Sequence, residues 1–378
     1  MADKLIVVAA HGHCFDGLVS AAMFTFLRDR LDDRGKRFNY RSCGYGPNMQ
    51  VVPERWLKGD ENAIVDFRYS PSPRLTWFFD HHPTAFASDQ ERDEALQKKR
   101  CHYDVSYGSC TKLIAEVGRS RYGVDFGRFE ELITWADRID RASFASAAEA
   151  IDRSHPVMQL AAVVEQNGDG DLYQALAPRL CVEPIDDLAQ SSYVRKRWLP
   201  IGEAQAETLA RIEAALRVEG DVAFADLHEA PLPASGKFVA YALAPDTRYS
   251  VTLLRAKQHF KISVGYNPWS GRERSHDIAA ICRDRGGGGH PVVGAFSVPH
   301  DKLDIAQRLA AEVVADLNPG RPIPIKNPHM ARHVAILSIP RRSDRHAAAV
   351  GAEGHRVAAQ VVCRLAVDVV ADLDPGGA

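Results

Sequence analysis

Histidine and aspartate residues follow three separate apolar runs of this sequence. Residues 75–79 lead into Asp80-His81-His82, residues 5–10 into His11-Gly12-His13-Cys14-Phe15-Asp16-Gly17, and residues 63–65 into Asp66. If these runs are parallel strands of one sheet, their C-terminal ends meet at the edge where open α/β sheets form ligand sites. Carboxylates and imidazoles together are ligands for Mn²⁺, Mg²⁺, Fe²⁺ or Zn²⁺. The pattern therefore predicts a metal site.

Each segment also has a simpler interpretation when it is considered alone. Asp16 sits where a helix dipole favours an anion, but it is equally an N-cap residue beside a polar loop residue, His11. An aspartate after a strand, such as Asp66, is a common turn residue. The adjacent imidazoles of His81 and His82 have no packing rationale, and their alternative is a surface loop with incidental histidines. It is the combination of the three segments that favours a metal site.

A centre with two metals about 3.5–4 Å apart needs a shared carboxylate and about three ligands for each ion. Four residues supply most of that set: His11, Asp16, Asp66 and His81. Asp137 or Asp140 completes it, because residues at i and i+3 share one helix face. The alternative for this pair is a salt-bridged helix end with Arg138 and Arg141.

A run of glycines, Gly286-Gly287-Gly288-Gly289, ends in His290 and precedes another apolar segment. Glycines allow backbone N–H groups to approach an anion closely, as in a phosphate-binding nest. Arg283 and Arg285 stand beside the run, and His290 can donate to a phosphate or a base. A flexible hinge is the alternative, but the flanking apolar segments favour a binding loop.

The elements that must position these residues follow an alternating pattern in residues 1–150. Strands are predicted near residues 5–10, 38–43, 62–67 and 75–80, and helices at 17–31, 109–118 and 127–141. The helix at 17–31 is expected to be amphipathic, with one apolar face. This alternation is typical of an α/β domain with a mainly parallel sheet and helices on both faces.

A second, smaller α/β domain is predicted after Gly220. Strand-like runs lie at 221–227, 237–244, 249–256 and 260–266, with a helix near 275–284. The Ala-, Glu- and Leu-rich run at 201–217 predicts an exposed connecting helix. The C-terminal part contains a strand-like run at 334–339 and a helical run from about 344 to 372. The predicted organisation is a first domain at 1–195, a helical connector at 196–219, a second domain at 220–320 and an extension at 321–378.

Composition limits the classes of function. The chain has 378 residues with a formal net charge of -2, and such a balance argues against a broad cationic surface for long nucleic acids. Its seven cysteines are scattered without a CxxC pair, which indicates a reduced, cytoplasmic protein. The N-terminal apolar run is too short for a signal peptide, and no stretch approaches the roughly 20 apolar residues of a membrane span.

In combination, these motifs resemble the DHH phosphoesterase superfamily, in the branch with a C-terminal DHH-associated domain. That branch includes RecJ-like nucleases, nano-RNases and cyclic-dinucleotide phosphodiesterases, and the resemblance covers roughly residues 4–318. It implies a catalytic DHH domain at 1–195 and a substrate-binding domain at 220–320. It also implies two divalent ions, usually Mn²⁺, with Mg²⁺ or another transition metal as alternatives. The implied reaction is hydrolysis of phosphoester bonds in small nucleotides or short oligonucleotides, and a homodimer is compatible with the sequence.

The resemblance also implies a role for each motif residue. Asp66 is expected to bridge the metals, His11 to bind the first, and three residues to bind the second: Asp16, His81 and Asp137. His82 is expected to contact the scissile phosphate, while Asp80 orients an imidazole. The distal end of the substrate is assigned to Gly286, Gly287, Gly288, Gly289 and His290.

One position departs from the family pattern. Family members often have Asp-x-Asp in the first motif, whereas Cys14 here occupies the earlier position, a spelling that resembles nano-RNase-B-like proteins. Cys14 is therefore a candidate soft ligand that would shift preference away from Mg²⁺. Two alternative functions stay open. One is hydrolysis of a signalling nucleotide: a cyclic or linear dinucleotide, a guanosine alarmone or a 3′-phosphoadenosine nucleotide. The other is a catalytically weakened nucleotide-binding regulator.

Overall fold

The computed structural model describes residues 3–44 and 51–318. Within them the chain forms two compact units. The first comprises residues up to 141 together with residues 153–202. The second comprises residues 142–152 together with residues 203–318. The predicted strand at 334–339 and helix at 344–372 lie outside the described residues.

The first unit is built on a five-stranded, all-parallel sheet with the strand order β2-β1-β3-β4-β5. The strands are β1 (Lys4–His11), β2 (Lys36–Cys43), β3 (Glu61–Val65), β4 (Trp77–Asp80) and β5 (Cys101–Tyr103). Register pairs Ala10 with Val65, and Val65 with Phe79. The C-terminal ends of β1, β3 and β4 are therefore level, and the residues that follow them emerge side by side at one edge. The predicted parallel α/β sheet is confirmed.

Helices cover this sheet and connect its strands. Their bounds are α1 (Phe15–Arg30), α2 (Asp89–Leu96), α3 (Cys110–Tyr122), α4 (Glu130–Asp140), α5 (Ala147–Ile151), α6 (Pro156–Asn167), α7 (Gly170–Leu180), α8 (Ile185–Gln190) and α9 (Ser192–Ala215). Of these, α5 belongs to the second unit, and α9 continues from residues of the first into residues of the second. Every residue from Phe15 to Arg28 is buried, so α1 is a central helix rather than the predicted amphipathic one.

The second unit is built on a six-stranded mixed sheet with the order β10-β11-β9-β8-β7-β6. Its elements are β6 (Leu216–Glu219), β7 (Val222–Leu227), α10 (Val239–Leu243), β8 (Tyr249–Arg255), β9 (His259–Tyr266), α11 (Ile278–Arg283), β10 (Gly288–His290), β11 (Val293–Pro299) and α12 (Leu303–Leu317). Only β7 and β8 pair in parallel among these strands. The buried apolar face of α12, from Ala306 to Leu317, packs into the core of this sheet. A separate α/β domain with its own core is thus confirmed.

The strand predicted at 237–244 is wrong. Residues Val239–Leu243 form the helix α10 instead, and Phe238 before it has a left-handed backbone with φ of 68°. A left-handed residue ends an extended chain, and the following Ala- and Leu-containing run has good helix propensity. The connecting helix also ends earlier than predicted, because Leu216 and Arg217 open β6. No helix among residues 3–44 and 51–318 is both long and apolar enough to cross a membrane.

Candidate metal centre

The turn between β1 and α1 brings His11, Cys14 and Asp16 to the sheet edge. The Gly12 N–H donates to Cys43 O at 2.5 Å, which holds the turn against β2. At the start of α1, a side chain at Gly17 would collide with the carbonyl oxygen of His11, so this position requires glycine. The close approach of α1 to the end of β1 therefore explains the glycine in the first motif.

The hydroxyl of Tyr173 on α7 donates hydrogen bonds to the backbone of the same turn. It lies 2.5 Å from the carbonyl oxygen of His11 and 3.0 Å from that of Cys14. Tyr173 is fully buried. One side chain, 159 residues or more away in sequence, thus fixes the backbone of two candidate ligands. No motif signal in the sequence points to Tyr173.

Asp66 lies at the centre of the site. It follows β3 with a positive φ of 55° and is completely buried. Its carboxylate oxygens lie 3.7 Å from His11 Nδ1, 3.5 Å from His81 Nε2 and 3.6 Å from His82 Nδ1. These distances are too long for ordinary hydrogen bonds, and neither oxygen has a hydrogen-bond partner among the described residues. A buried carboxylate surrounded by nitrogens at this spacing suits an intervening cation.

Burial opposes ionisation of Asp66, but the facing imidazoles outweigh that effect. The rings of His11 and His81 together hold the pKa of Asp66 well below its usual range. The charged form of Asp66 is therefore favoured over the neutral form. An anion is the state that a bridging ligand needs.

Three groups of donor atoms lie at this edge of the sheet. The first combines His11, Cys14 and Asp66, the second combines Asp16, His81 and Asp140, and the third combines Asp66, Asp80, His81 and His82. Within each group, the ligand atoms lie within 4.8 Å of one another. In the second group, His81 Nε2 is 3.9 Å from Asp16 Oδ2 and 3.7 Å from Asp140 Oδ2. The second group does not itself include Asp66, but His81 Nε2 lies 3.5 Å from Asp66 Oδ1, so this carboxylate is close to both of the first two groups.

Asp16 is held by the N-terminus of α3. Its two carboxylate oxygens accept from the backbone N–H groups of Cys110 at 2.7 Å and Thr111 at 3.1 Å. Burial and the nearby charges of Asp66 and Asp140 nevertheless raise the pKa of Asp16 well above its usual range. Bound divalent cations would relieve this repulsion between carboxylates.

The two histidines of the Asp80-His81-His82 motif have different surroundings. The Nδ1 of His81 lies 3.1 Å from the carbonyl oxygen of Tyr107, an acceptor, so Nδ1 donates to that oxygen and Nε2 is directed toward the carboxylates. His82 Nδ1 lies 2.7 Å from Asp80 Oδ1, which also accepts from the backbone N–H of His81. Burial opposes the charge on His82, but Asp80 outweighs it and raises the pKa of His82 to about 10.

Asp137 and Asp140 have different neighbours, which distinguish their roles. The carboxylate of Asp137 lies 3.5 Å from both Lys112 Nζ and Arg141 Nη1, and it accepts from Ser109 Oγ at 3.3 Å. The structure therefore brings Asp140 into the donor cluster and leaves Asp137 with cations beside it. The shared helix face that sequence reasoning used did not distinguish these two residues.

In the second unit, the glycine run leads into a tight hairpin. Side chains at Gly287 and Gly289 would collide with carbonyl oxygens of β11, so packing alone accounts for these two glycines. His290 Nδ1 is buried without a hydrogen-bond partner among the described residues. Burial and the charge of Arg274 lower the pKa of His290. Arg274 was missed by sequence reasoning, whereas Arg285, which it singled out, pairs with Asp316 at 2.6 Å.

Comparison with known proteins identifies the fold. No protein-family model and no curated protein matches the chain. Among solved structures, a pGpG-specific phosphodiesterase, PggH from Vibrio cholerae, matches with a TM-score of 0.61 and 18% identity, covering 83% of this chain and 100% of that one. The DHH domain of a protein described as a member of a family of ribosomal proteins matches with a TM-score of 0.53 and 13% identity, over 83% of this chain and 87% of that one.

The chain has the DHH phosphoesterase fold. The parallel sheet of the first unit and the mixed sheet of the second are the two α/β parts expected of it. The edge of the DHH fold at which β1, β3 and β4 end carries the donor cluster described above.

Proposed function

We propose that the chain is a metal-dependent phosphoesterase that hydrolyses small nucleotides or short oligonucleotides. The observation that carries this proposal is the environment of Asp66, a buried residue that forms a donor group with His11 and Cys14 and lies 3.5 Å from His81 of a second group, and whose carboxylate oxygens accept no hydrogen bond from the described residues. A structural carboxylate in such a position would be paired directly with a cation or with N–H donors.

The donor sets fit two divalent ions. His11 and Asp66 would hold one ion, while Asp16, Asp66, His81 and Asp140 would hold the other. Oxygen-rich sets with imidazole suit Mn²⁺ or Mg²⁺, with Mn²⁺ favoured by the nitrogen ligands. When bound, two such ions supply an activated water and neutralise charge on phosphate oxygens. Asp140 takes the ligand position that the family resemblance gave to Asp137.

His82 is the residue of this chain that acts on the phosphate. Asp80 accepts from His82 Nδ1 and keeps the ring protonated, so the other ring nitrogen is a donor for a phosphate oxygen. The side chain of His82 is 22% exposed, whereas His81 is fully buried among the carboxylates. This difference in exposure supports contact with substrate for His82 and with metal for His81.

Short substrates are favoured by charge and by the second unit. The net charge of -2 argues against a long cationic surface for extended strands. Beside the glycine run, Arg274 is a cation close enough to His290 to act on its pKa. We assign the run Gly286–Gly289 with His290 to binding of the substrate's distal end. The fold shared with a protein described as a pGpG-specific phosphodiesterase makes linear dinucleotides the first candidates. A reduced, cytoplasmic setting is part of the proposal, because the six cysteines within residues 3–44 and 51–318 are free thiols.

The test is a panel of nucleotides with purified protein and Mn²⁺. It contains a length series of 5′-labelled oligoribonucleotides, linear and cyclic dinucleotides, a guanosine alarmone and a 3′-phosphoadenosine nucleotide. We expect turnover that needs metal and is fastest on the shortest substrates. Rates on long strands that equal or exceed those on dinucleotides would contradict the short-substrate proposal. Nucleotide binding without turnover would instead identify a regulator.

Asp66→Asn is the matched variant for this panel. A neutral amide cannot serve two cations, so we expect loss of nearly all turnover together with loss of bound metal while the fold is retained. Metal content and activity are measured on the same sample. Near-normal activity with two ions bound would rule out the two-metal proposal.

A further inference from the structure

We propose that the sulfur of Cys14 is a metal ligand and that the two metal positions are therefore chemically different. The first position has one nitrogen, one sulfur and one oxygen donor, from His11, Cys14 and Asp66. The second has the carboxylates of Asp16 and Asp140 and the imidazole of His81, which also lies 3.5 Å from Asp66. This inference rests on the same cluster as the proposed function but concerns which ion each position selects.

The position of Cys14 supports ligation over packing or capping. Cys14 is the residue before α1, with an extended backbone, φ of -126° and ψ of 130°. This N-cap position prefers Ser, Thr, Asp or Asn, so capping does not explain a cysteine there. The residue is only partly buried, unlike Cys43 and Cys110, which are enclosed as small apolar side chains. Its Sγ instead faces the nitrogen of His11 and an oxygen of Asp66.

A second observation points to an ion at the same place. Both oxygens of Asp66 are buried and accept no hydrogen bond from the described residues. Oδ2 faces His11 Nδ1 across 3.7 Å, a gap that a direct hydrogen bond does not bridge. An ion bound by His11, Cys14 and Asp66 would satisfy this oxygen while Oδ1 remains directed toward His81.

Sulfur changes the selectivity of the position that it joins. A cysteine binds metal as the thiolate, so its proton leaves to solvent when the ion binds. Thiolate with imidazole favours Zn²⁺, Co²⁺ or Fe²⁺, whereas a set dominated by carboxylates suits Mn²⁺ or Mg²⁺. The structure thus favours a mixed centre, with the softer ion at the position that contains Cys14.

The test uses Co²⁺ as a spectroscopic probe and needs no substrate. Metal-free protein is titrated with Co²⁺ while thiolate-to-Co²⁺ charge-transfer absorption is followed in the near ultraviolet. We expect this band in the wild type and its loss in Cys14→Ser, with Co²⁺ still bound at the second position. Cys110→Ser is the matched control, because this neighbouring thiol donates to Phe79 O at 3.3 Å and should not contribute to the band.

Cys14→Asp provides a second, independent measurement. Replacing sulfur with oxygen should lower the preference of the first position for Zn²⁺ over Mn²⁺ by at least about tenfold. Removing a group that only orients a ligand already lowers metal affinity by about that factor, and Cys14 is proposed as a ligand itself. Absence of the band in Co²⁺-loaded wild type, or an unchanged band in Cys14→Ser, would overturn the inference. A sulfur band in a protein that hydrolyses no nucleotide would contradict the proposed function alone. Hydrolysis without the band would contradict only the inference.

Discussion

Tyr173→Phe tests whether a residue that contacts the backbone of two proposed metal ligands, without binding metal itself, contributes to metal affinity. The substitution removes one hydroxyl and keeps the buried ring. It leaves the carbonyl oxygens of His11 and Cys14, 2.5 and 3.0 Å from that hydroxyl, without this donor. Loss of a donor to buried carbonyls costs about 1–3 kcal/mol of local stability. The same loss frees the backbone of two ligands, and orienting groups of this kind are worth about 10- to 100-fold in metal affinity.

Native-state hydrogen exchange of amides in α1 is the suitable stability assay, because a chain of two compact units does not unfold as one two-state system. A loss of 1–3 kcal/mol corresponds to roughly 5- to 150-fold faster exchange. Metal affinity is measured in parallel by titration. Both quantities should change in Tyr173→Phe.

Tyr40→Phe is the matched control. Tyr40 is also buried in the first unit, and its hydroxyl lies 2.8 Å from Thr25 Oγ1, away from the β1–α1 turn. This variant should exchange faster but bind metal as tightly as the wild type. Wild-type metal affinity in Tyr173→Phe would refute this role of Tyr173. An equal loss of affinity in Tyr40→Phe would show that affinity follows general stability instead.

Three further predictions follow from the same geometry. Asp140→Asn should lose the second ion and activity. Asp137→Asn should keep both, and its free energy of unfolding should fall by at most about 1 kcal/mol, because its ion pairs are partly exposed. Equal metal content in the two variants would contradict this assignment. Glu61, buried but bonded to Arg28, has its pKa lowered from 4.5 to about 2, so its stabilisation is complete above about pH 4.5 and is lost as the pH falls through about 2. The difference in unfolding free energy between wild type and Glu61→Gln, up to about 3 kcal/mol near neutral pH, should therefore shrink in acid, and a constant difference would disprove the linkage. His290→Ala should raise KM for the preferred short substrate and blunt discrimination by length, and a KM and length preference equal to those of the wild type would remove His290 from substrate binding.

The strands that carry the site were predictable because their signals are local. An apolar run that ends in charged residues is visible in the sequence, and β1, β3 and β4 are three such runs. The central helix α1 was less predictable, since it contains polar residues such as Thr25 and Arg28. Both are buried, and their partners are Tyr40 and Glu61, on β2 and β3. Polar residues that are satisfied by distant partners cannot be distinguished from exposed ones by periodicity.

The candidate ligands were predictable as a set but not residue by residue. Asp137 and Asp140 share one helix face in the sequence, and only the positions of Lys112 and His81 separate them. The groups that orient the candidate ligands, without binding metal themselves, have no signature in the sequence. The Tyr107 carbonyl that fixes His81 is a backbone atom, and any residue type could supply it.

The pKa values of two buried carboxylates of the site also depend on neighbours that the sequence does not reveal. Asp16 and Asp66 both follow turns at strand ends, and burial alone would raise the pKa of each. The pKa of Asp66 is lowered because the facing imidazoles outweigh burial, while that of Asp16 is raised by burial together with the nearby charges of Asp66 and Asp140. The protein thus compensates neither carboxylate fully, since the oxygens of Asp66 accept no hydrogen bond from the described residues and the charged form of Asp16 is disfavoured by its neighbours. A fold that positions carboxylates in this way has its lowest electrostatic free energy when cations are bound, which is the physical basis for assigning metal chemistry to this edge of the sheet.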